Sequence, residues 1–142
     1  MRFIILLVTC GVCLSVVSCD AKKRYKDEGF SLKLPSTVSI KKETPVEDFN
    51  IYKFIYEEQV ILSAYVGNHP QFNHANTEKG ITNGLVSEFF ITKDPNGLEQ
   101  KEILIEFSSH QGWPNYMHFW YSELPPNLEK IVREIIFSVQ EK

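Results

Sequence analysis

The feature that most limits the fold of this chain is a series of short runs in which apolar and polar residues alternate. The first of them, Phe30-Ser31-Leu32-Lys33-Leu34, puts its apolar side chains on one face, which is the pattern of a half-buried β-strand. Alternation recurs in residues 59–66 and 99–107, and residues 38–42, 49–56 and 84–92 are also predicted to be strands, 49–56 because of its aromatic and β-branched residues. Residues 116–121 are predicted to form a strand that is too apolar to have one solvated face, so either both of its faces are covered or one is a contact surface. Short connections between such runs favour antiparallel neighbours. The sequence therefore predicts a predominantly antiparallel sheet.

Two connections carry turn signals. Asp94-Pro95-Asn96-Gly97 has proline and glycine where a type I turn favours them, so runs 84–92 and 99–107 are predicted to form a hairpin. Glu57-Glu58 separates runs 49–56 and 59–66 by two residues, which also indicates a hairpin. Glutamate is a poor residue for a tight hairpin turn, so a longer loop is the alternative there.

The C-terminal segment has a different period. Pro125-Pro126-Asn127 is followed by apolar residues at helical spacing, at positions 128, 131, 132, 135, 136 and 139, and proline is well tolerated in the first turn of a helix. The expected fold is an α+β domain over residues 29–142. It consists of an antiparallel β-sheet of about six to seven strands with the C-terminal α-helix packed on one face.

The N-terminus predicts export. Arg2 precedes an apolar run, Phe3–Val17, which has the length of a signal-peptide core of roughly 7–15 residues and is shorter than the about 20 residues of a membrane-spanning helix. Val16-Val17-Ser18-Cys19 resembles the lipobox of bacterial lipoproteins. That resemblance implies that residues 1–18 are removed and that Cys19 is acylated, for example with palmitate. The expected location is the cell envelope, facing the periplasm; inner and outer membrane both stay open, as does an ordinary secreted protein.

Residues 20–28 are polar and lack periodicity, so a tether is predicted between Cys19 and the domain. Its basic cluster, residues 22–26, is compatible with attraction to anionic headgroups and equally with a solvated linker. The other cysteines, Cys10 and Cys13, lie in the signal peptide, so the mature domain has no disulfide. The net charge of −3 argues against a nucleic-acid partner.

Two short segments carry a resemblance to a known family. Gly29–Pro35, with the sequence GFSLKLP, and Glu134–Val139 at the end of the helix look like the two ends of Mog1/PsbP-like domains. The resemblance implies helices packed on an antiparallel sheet. It also implies an accessory or binding role more than catalysis, and it transfers no catalytic residue.

No catalytic or metal-binding motif emerges from the spacing of the reactive side chains. His69 and His74 are five residues apart in a predicted loop, which does not match the usual zinc spacings, so no metal and no cofactor are expected. His118 lies between aromatic residues in a strand and is interpreted as a hydrogen-bonded structural histidine. Glu102 and Glu106 are interpreted as solvated residues on the outward side of a strand. The sequence predicts a protein without enzymatic activity.

Two irregular segments, residues 67–83 and 108–115, remain as candidate contact loops, because long loops in compact domains are often functional. The predicted partner-binding residues are His69, Phe72, His74, His110, Trp113 and Tyr116. The resulting hypothesis is a lipid-anchored envelope protein that binds a protein partner, for example an inhibitor or immunity protein for an envelope-acting toxin or hydrolase. The alternative is a periplasmic hydrolase or metal-dependent enzyme that uses the loop histidines.

Overall fold

The computed structural model describes residues 21–45, 48–71, 77–108 and 112–142, which form two antiparallel sheets and one helix. The helix is α1 (Pro126–Ile136). The strands are β1 (Lys22–Asp27), β2 (Phe30–Pro35), β3 (Val38–Glu43), β4 (Phe49–Tyr56), β5 (Gln59–Gly67), β6 (Glu78–Thr82), β7 (Leu85–Lys93), β8 (Glu99–Glu106), β9 (Tyr116–Ser122) and β10 (Gln140–Glu141).

The large sheet has seven strands in the order β3-β4-β5-β9-β8-β7-β6. Every pair of neighbours in it is antiparallel. The chain builds this sheet from two consecutive meanders, β3-β4-β5 and β6-β7-β8-β9, which join where β9 pairs with β5. The middle of the large sheet is therefore formed by strands from both halves of the chain.

The small sheet has three strands in the order β1-β2-β10, and α1 contacts both β2 and β5. The helix begins at Pro126 and buries Leu128, Val132, Ile135 and Ile136, which confirms the predicted helix and its apolar stripe. Within the described ranges, no helix has the length and apolarity that a membrane crossing requires.

One apolar core lies between the large sheet, the small sheet and α1. Phe30 of β2, Phe119 of β9 and Val132 of α1 are all fully buried members of it. The Phe30 ring meets the Tyr52 ring of β4 edge-on, with 5.5 Å between centroids. We call the face of the large sheet that carries Tyr52 and Phe119 the inner face, and the opposite face the outer face.

The antiparallel sheet and the C-terminal helix are confirmed, but the expectation of an α+β fold with one sheet of about six to seven strands is only partly correct. The described chain is mainly β, and a second sheet lies beside the first. The additional sheet exists because β2 pairs with β1 and β10 and not with the large sheet. Two-residue β10, directly after the helix, was too short to be predicted.

The tether predicted for residues 20–28 is wrong over Lys22–Asp27, which forms β1 and pairs with β2 along its whole length. The strand lies at an edge and most of its side chains are exposed, so its sequence shows no alternation. It is held by Asp27, whose carboxylate accepts hydrogen bonds from Tyr52 Oη at 2.9 Å and from Lys42 Nζ at 3.0 Å. The predicted signal peptide and Cys19 lie outside the described residues.

The irregular segment predicted over residues 67–83 contains a strand, β6, at Glu78–Thr82. Gly80 interrupts its apolar pattern, and a Cβ there would lie 2.9 Å from the Phe89 ring of β7, so the ring would have to shift to admit a side chain at this position. The β6–β7 turn is Asn83-Gly84, with φ of 51° and 84°. Asn-Gly is the favoured pair for such a turn and was the overlooked signal.

The two hairpins predicted between strands are present. Gly97 has a φ of 80°, and its N–H donates to the Asp94 carbonyl at 2.9 Å. Glu57 and Glu58 form a two-residue turn with φ of 46° and 66°, so the longer loop considered there is wrong. The extensive pairing of β4 with β5 offsets the cost of positive φ in two glutamates.

Candidate binding pocket

A concavity with mixed chemistry lies on the outer face of the large sheet and has a volume of about 730 Å³. This is within the roughly 300–1,000 Å³ of typical ligand pockets. It is lined by Asp48, Phe49, Ile51, Tyr65, His69, Gln71, Gln100, Glu102, His118 and Trp120. The lining combines three aromatic rings with two carboxylates, two imidazoles and two amides.

Strand register brings these side chains together. Tyr65 of β5 lies opposite His118 of β9, and Ile51 of β4 lies opposite Tyr65. In the next row of the same face, Trp120 of β9 lies opposite Glu102 of β8. Because side chains of a strand alternate between the two faces, residues two apart in β9 share the outer face. Glu102 is thus the diagonal neighbour of His118, within reach of a long side chain.

Glu102 and His118 form a buried pair. His118 Nε2 and Glu102 Oε2 are 2.6 Å apart, and the residues are only 6% and 7% exposed respectively. The other carboxylate oxygen of Glu102 accepts hydrogen bonds from Thr92 Oγ1 and, at 3.0 Å, from Gln100 Nε2. The interpretation of Glu102 as a solvated residue is therefore wrong, because its neighbours on the outer face cover it.

The hydrogen bonds keep Glu102 in its charged form. Burial by itself raises the pKa of this carboxyl. The hydrogen bonds from His118, Thr92 and Gln100, together with the nearby imidazole, outweigh burial and lower the pKa below its ordinary value. The outer face therefore holds a buried, satisfied carboxylate at neutral pH.

Two aromatic rings fix the imidazole of His118. The Phe90 ring lies 5.9 Å from it at an interplanar angle of 30°, and the Trp120 ring lies 5.6 Å from it at 51°. Phe90 is buried, whereas Trp120 is half-buried and lines the pocket. His118 is thus a hydrogen-bonded histidine between aromatic rings, as the sequence indicated, but it also forms part of the pocket wall.

A second aromatic pair lines the pocket from β4 and β5. The rings of Phe49 and Tyr65 stack with centroids 5.2 Å apart, and Tyr65 Oη accepts a hydrogen bond from the His69 N–H at 3.0 Å. A Cβ on Gly67 would lie 2.5 Å from Tyr65 Oη, so glycine is required where the ring folds back. Burial raises the pKa of Tyr65, and the charge of Asp48 adds to that rise, while the His69 N–H opposes it.

The predicted partner-binding residues divide into three groups. His69 is exposed and lines the pocket. Trp113 and Tyr116 are half-buried and lie outside the pocket lining. Trp113 Nε1 nevertheless donates a hydrogen bond to the carbonyl of Asp48 at 2.9 Å, and Asp48 lies at the rim of the pocket. The remaining three, Phe72, His74 and His110, lie outside the described residues.

The sequence interpretation missed the centre of the site. Glu102, Trp120 and Tyr65 lie on regular strands, and the prediction placed the contact surface in loops. The sequence contains one signal for this site. β9 is too apolar for a strand with one solvent-exposed face, which indicates that its outer side is either covered or a contact surface. Among the described residues there is no group of three histidine, cysteine or acidic side chains placed to hold a metal ion.

Comparisons with known proteins identify no family. Searches of the sequence against protein-family models and against curated proteins give no significant match.

Proposed function

We propose that this protein is a lipid-anchored binding protein of the bacterial cell envelope and that it recognises a protein partner through the outer-face pocket. The observation that carries the proposal is the pocket itself. It combines the half-buried Trp120 with polar groups held in fixed positions by the Glu102–His118 pair. Tryptophan and tyrosine are enriched at the hot spots of binding interfaces.

The chemistry of the pair supports binding more than catalysis. Nε2 of His118 is committed to Glu102, and both side chains are more than nine-tenths buried. Glu102 accepts hydrogen bonds from three side chains, so it fixes the positions of its neighbours. A rigid wall of this kind reduces the ordering cost of association.

The location is supported by the N-terminal sequence. The segment Val16-Val17-Ser18-Cys19 resembles a lipobox, and several acyl chains on Cys19 would give firm membrane attachment. One version of the function is an inhibitor or immunity protein for an envelope-acting toxin or hydrolase, because that task requires only an anchor and a rigid recognition face. Radiolabelled palmitate should enter the wild-type chain and be absent from Cys19→Ser.

The binding proposal is tested by capture from solubilised envelope with the full-length chain as bait. Wild-type protein and Ile81→Ala, a control at a residue that is 67% exposed on the same face, should retain one stoichiometric protein, which Trp120→Ala loses. The captured protein is then purified and its direct binding is measured. Equal capture by Trp120→Ala would show that recognition does not use the pocket.

A hydrolase is the second candidate, because a carboxylate that orients an imidazole beside a pocket also occurs in acid–base catalysis. This candidate predicts turnover of ester, glycoside or peptide substrates by the wild-type protein and its loss in His118→Asn. The binding proposal predicts no turnover above the level of the variant.

A further inference from the structure

The pocket has an aromatic wall on each side. Phe49 and Tyr65 form the stacked pair that extends from β4 and β5, and Trp120 lines the pocket from β9. All three rings are half-buried, so part of each surface faces the cavity. Faces of tyrosine and tryptophan rings carry a negative quadrupole that attracts cations. Their edges and the Ile51 side chain also offer an apolar surface for an alkyl stem.

The charges of the lining have one dominant sign. Asp48 is exposed at the rim and Glu102 lies at the base, whereas the described lining includes neither lysine nor arginine. The nearest cation on the outer face of β4, Lys53, is already paired with Glu43 at 3.1 Å. An anionic ligand would therefore meet the exposed carboxylate of Asp48, and the described lining offers no lysine or arginine to offset that charge.

We infer that the pocket takes the side chain of a lysine or arginine presented by the partner protein. This inference rests on the proposed binding function and specifies its chemistry. The alkyl stem packs against Ile51 and the aromatic rings. The cationic head lies over a ring face and pairs with Asp48, while the amide oxygens of Gln71 and Gln100 are available to accept its N–H groups.

The contributions of the two carboxylates differ. Asp48 is exposed and can make a direct ion pair with the incoming cation, which is worth little by itself in a solvated position. Glu102 is 7% exposed and already accepts several hydrogen bonds, so it acts through its charge and by holding His118 against Trp120. Aromatic contact and charge together therefore set the preference for a basic side chain.

Binding of blocked amino acids to the full-length protein in detergent tests the inference. The probes are N-acetyl-arginine amide, N-acetyl-lysine amide, the neutral N-acetyl-norleucine amide and the acidic N-acetyl-glutamate amide. The chain has two tryptophans, so the indole N–H resonances of Trp113 and Trp120 report on the rim and the pocket separately. The basic probes should shift the Trp120 resonance at millimolar concentration and bind more tightly than the neutral and acidic probes.

Two variants distinguish the effect of the Asp48 charge in the pocket from the general effect of removing a carboxylate. Asp48→Asn should weaken the basic probes about two- to fivefold, the range expected for one exposed ion pair, and leave the norleucine probe unchanged. Glu58→Gln is the matched control, because it removes a carboxylate in the β4–β5 turn, outside the pocket lining, and should leave all affinities unchanged. Equal or tighter binding of the glutamate probe would overturn the inference, as would equal affinities for norleucine and arginine.

The failure of this inference is distinguishable from failure of the proposed function. If Trp120→Ala loses the captured partner while the basic probes show no preference, the pocket binds a protein by other chemistry and the cation assignment is wrong. If capture is also independent of Trp120, the binding role of the pocket is wrong as well.

Discussion

The two faces of the large sheet are formed by the same strands but differ in chemistry. On the inner face, Phe54, Ala64 and Phe119 are all fully buried and pack in one apolar core. On the outer face, the alternate positions of β8 and β9 carry Glu102 and His118, whose polar atoms are matched to one another. Apolar burial is the main source of stability, whereas a buried ionised group costs free energy unless it is paired.

The buried polar groups of the outer face indicate that this face does more than meet solvent. A sheet face that only has to be solvated needs no buried carboxylate with several donors. Glu102 is charged, buried and hydrogen-bonded by side chains of β7, β8 and β9, and it lines the pocket. The free-energy cost of burying this carboxylate is offset by those hydrogen bonds. They lie on the outer face, away from the apolar core.

The largest expected change in stability is at Phe119, on the inner face of β9, and it contrasts with the change at Trp120, the next residue, on the outer face. Phe119→Ala should lower the free energy of unfolding by about 3–5 kcal/mol, because it leaves a cavity in the core. Trp120→Ala should cost clearly less, because its ring is half-buried, and should instead abolish partner capture. Urea unfolding of both variants checks this, and equal losses of stability would contradict the comparison.

The next effect concerns the polar network of the outer face. Glu102→Ala leaves the side chains of Thr92, Gln100 and His118 without their acceptor and should cost about 1–3 kcal/mol. Glu88→Ala, at a half-buried position in the next strand of the same face, is the control and should change stability by less than about 0.5 kcal/mol. If the two variants are equally stable, the network does not contribute to stability.

A carboxylate on the other side of the sheet provides a pH-dependent contrast. Burial raises the pKa of Asp27, but hydrogen bonds from the Glu28 N–H and from the side chains of Lys42, Tyr52 and Tyr25 lower it below the ordinary 3.8. A depressed folded-state pKa stabilises the fold above the unfolded-state pKa, and this contribution is lost as the pH falls through the folded-state value.

Asp27→Asn should therefore be less stable than the wild type by about 1–2 kcal/mol at neutral pH, and the difference should shrink below about pH 4. Unfolding curves of both proteins between neutral pH and pH 3 measure this. A difference that stays constant over that range would show that the charge of Asp27 does not join β1 to the large sheet.

The smallest effect is at the rim of the pocket. Asp48→Asn should change the free energy of unfolding by less than about 0.5 kcal/mol, because the side chain is exposed, and yet weaken binding of a basic probe. A stability loss as large as that of Glu102→Ala would assign Asp48 to the fold and not to recognition.

The sequence predicts the regular elements well because their signals are local. Alternation identifies β2, β5 and β8, aromatic and β-branched composition identifies β4, and the helical stripe with Pro126 identifies α1. The failures have physical causes. β1 lies at an edge and has no alternation, and β6 has Gly80 where the Phe89 ring approaches.

The site itself was not predictable from local patterns. Glu102 and His118 meet because β8 and β9 pair in one register, and Tyr65 joins them because β9 also pairs with β5, over fifty residues earlier in the chain. No local pattern specifies that second pairing. His69 was identified from its loop, but the strand residues that give its surroundings their chemistry depend on tertiary contacts.

The role of the outer-face pocket in recognition is tested by the affinity of the purified partner for Trp120→Ala, measured beside wild type and Ile81→Ala. If the outer-face pocket is the recognition site, Trp120→Ala should weaken binding by about thirtyfold or more, as a hot-spot tryptophan does, while Ile81→Ala binds like wild type. Unchanged affinity of a folded Trp120→Ala protein would show that the outer-face pocket is not the recognition site.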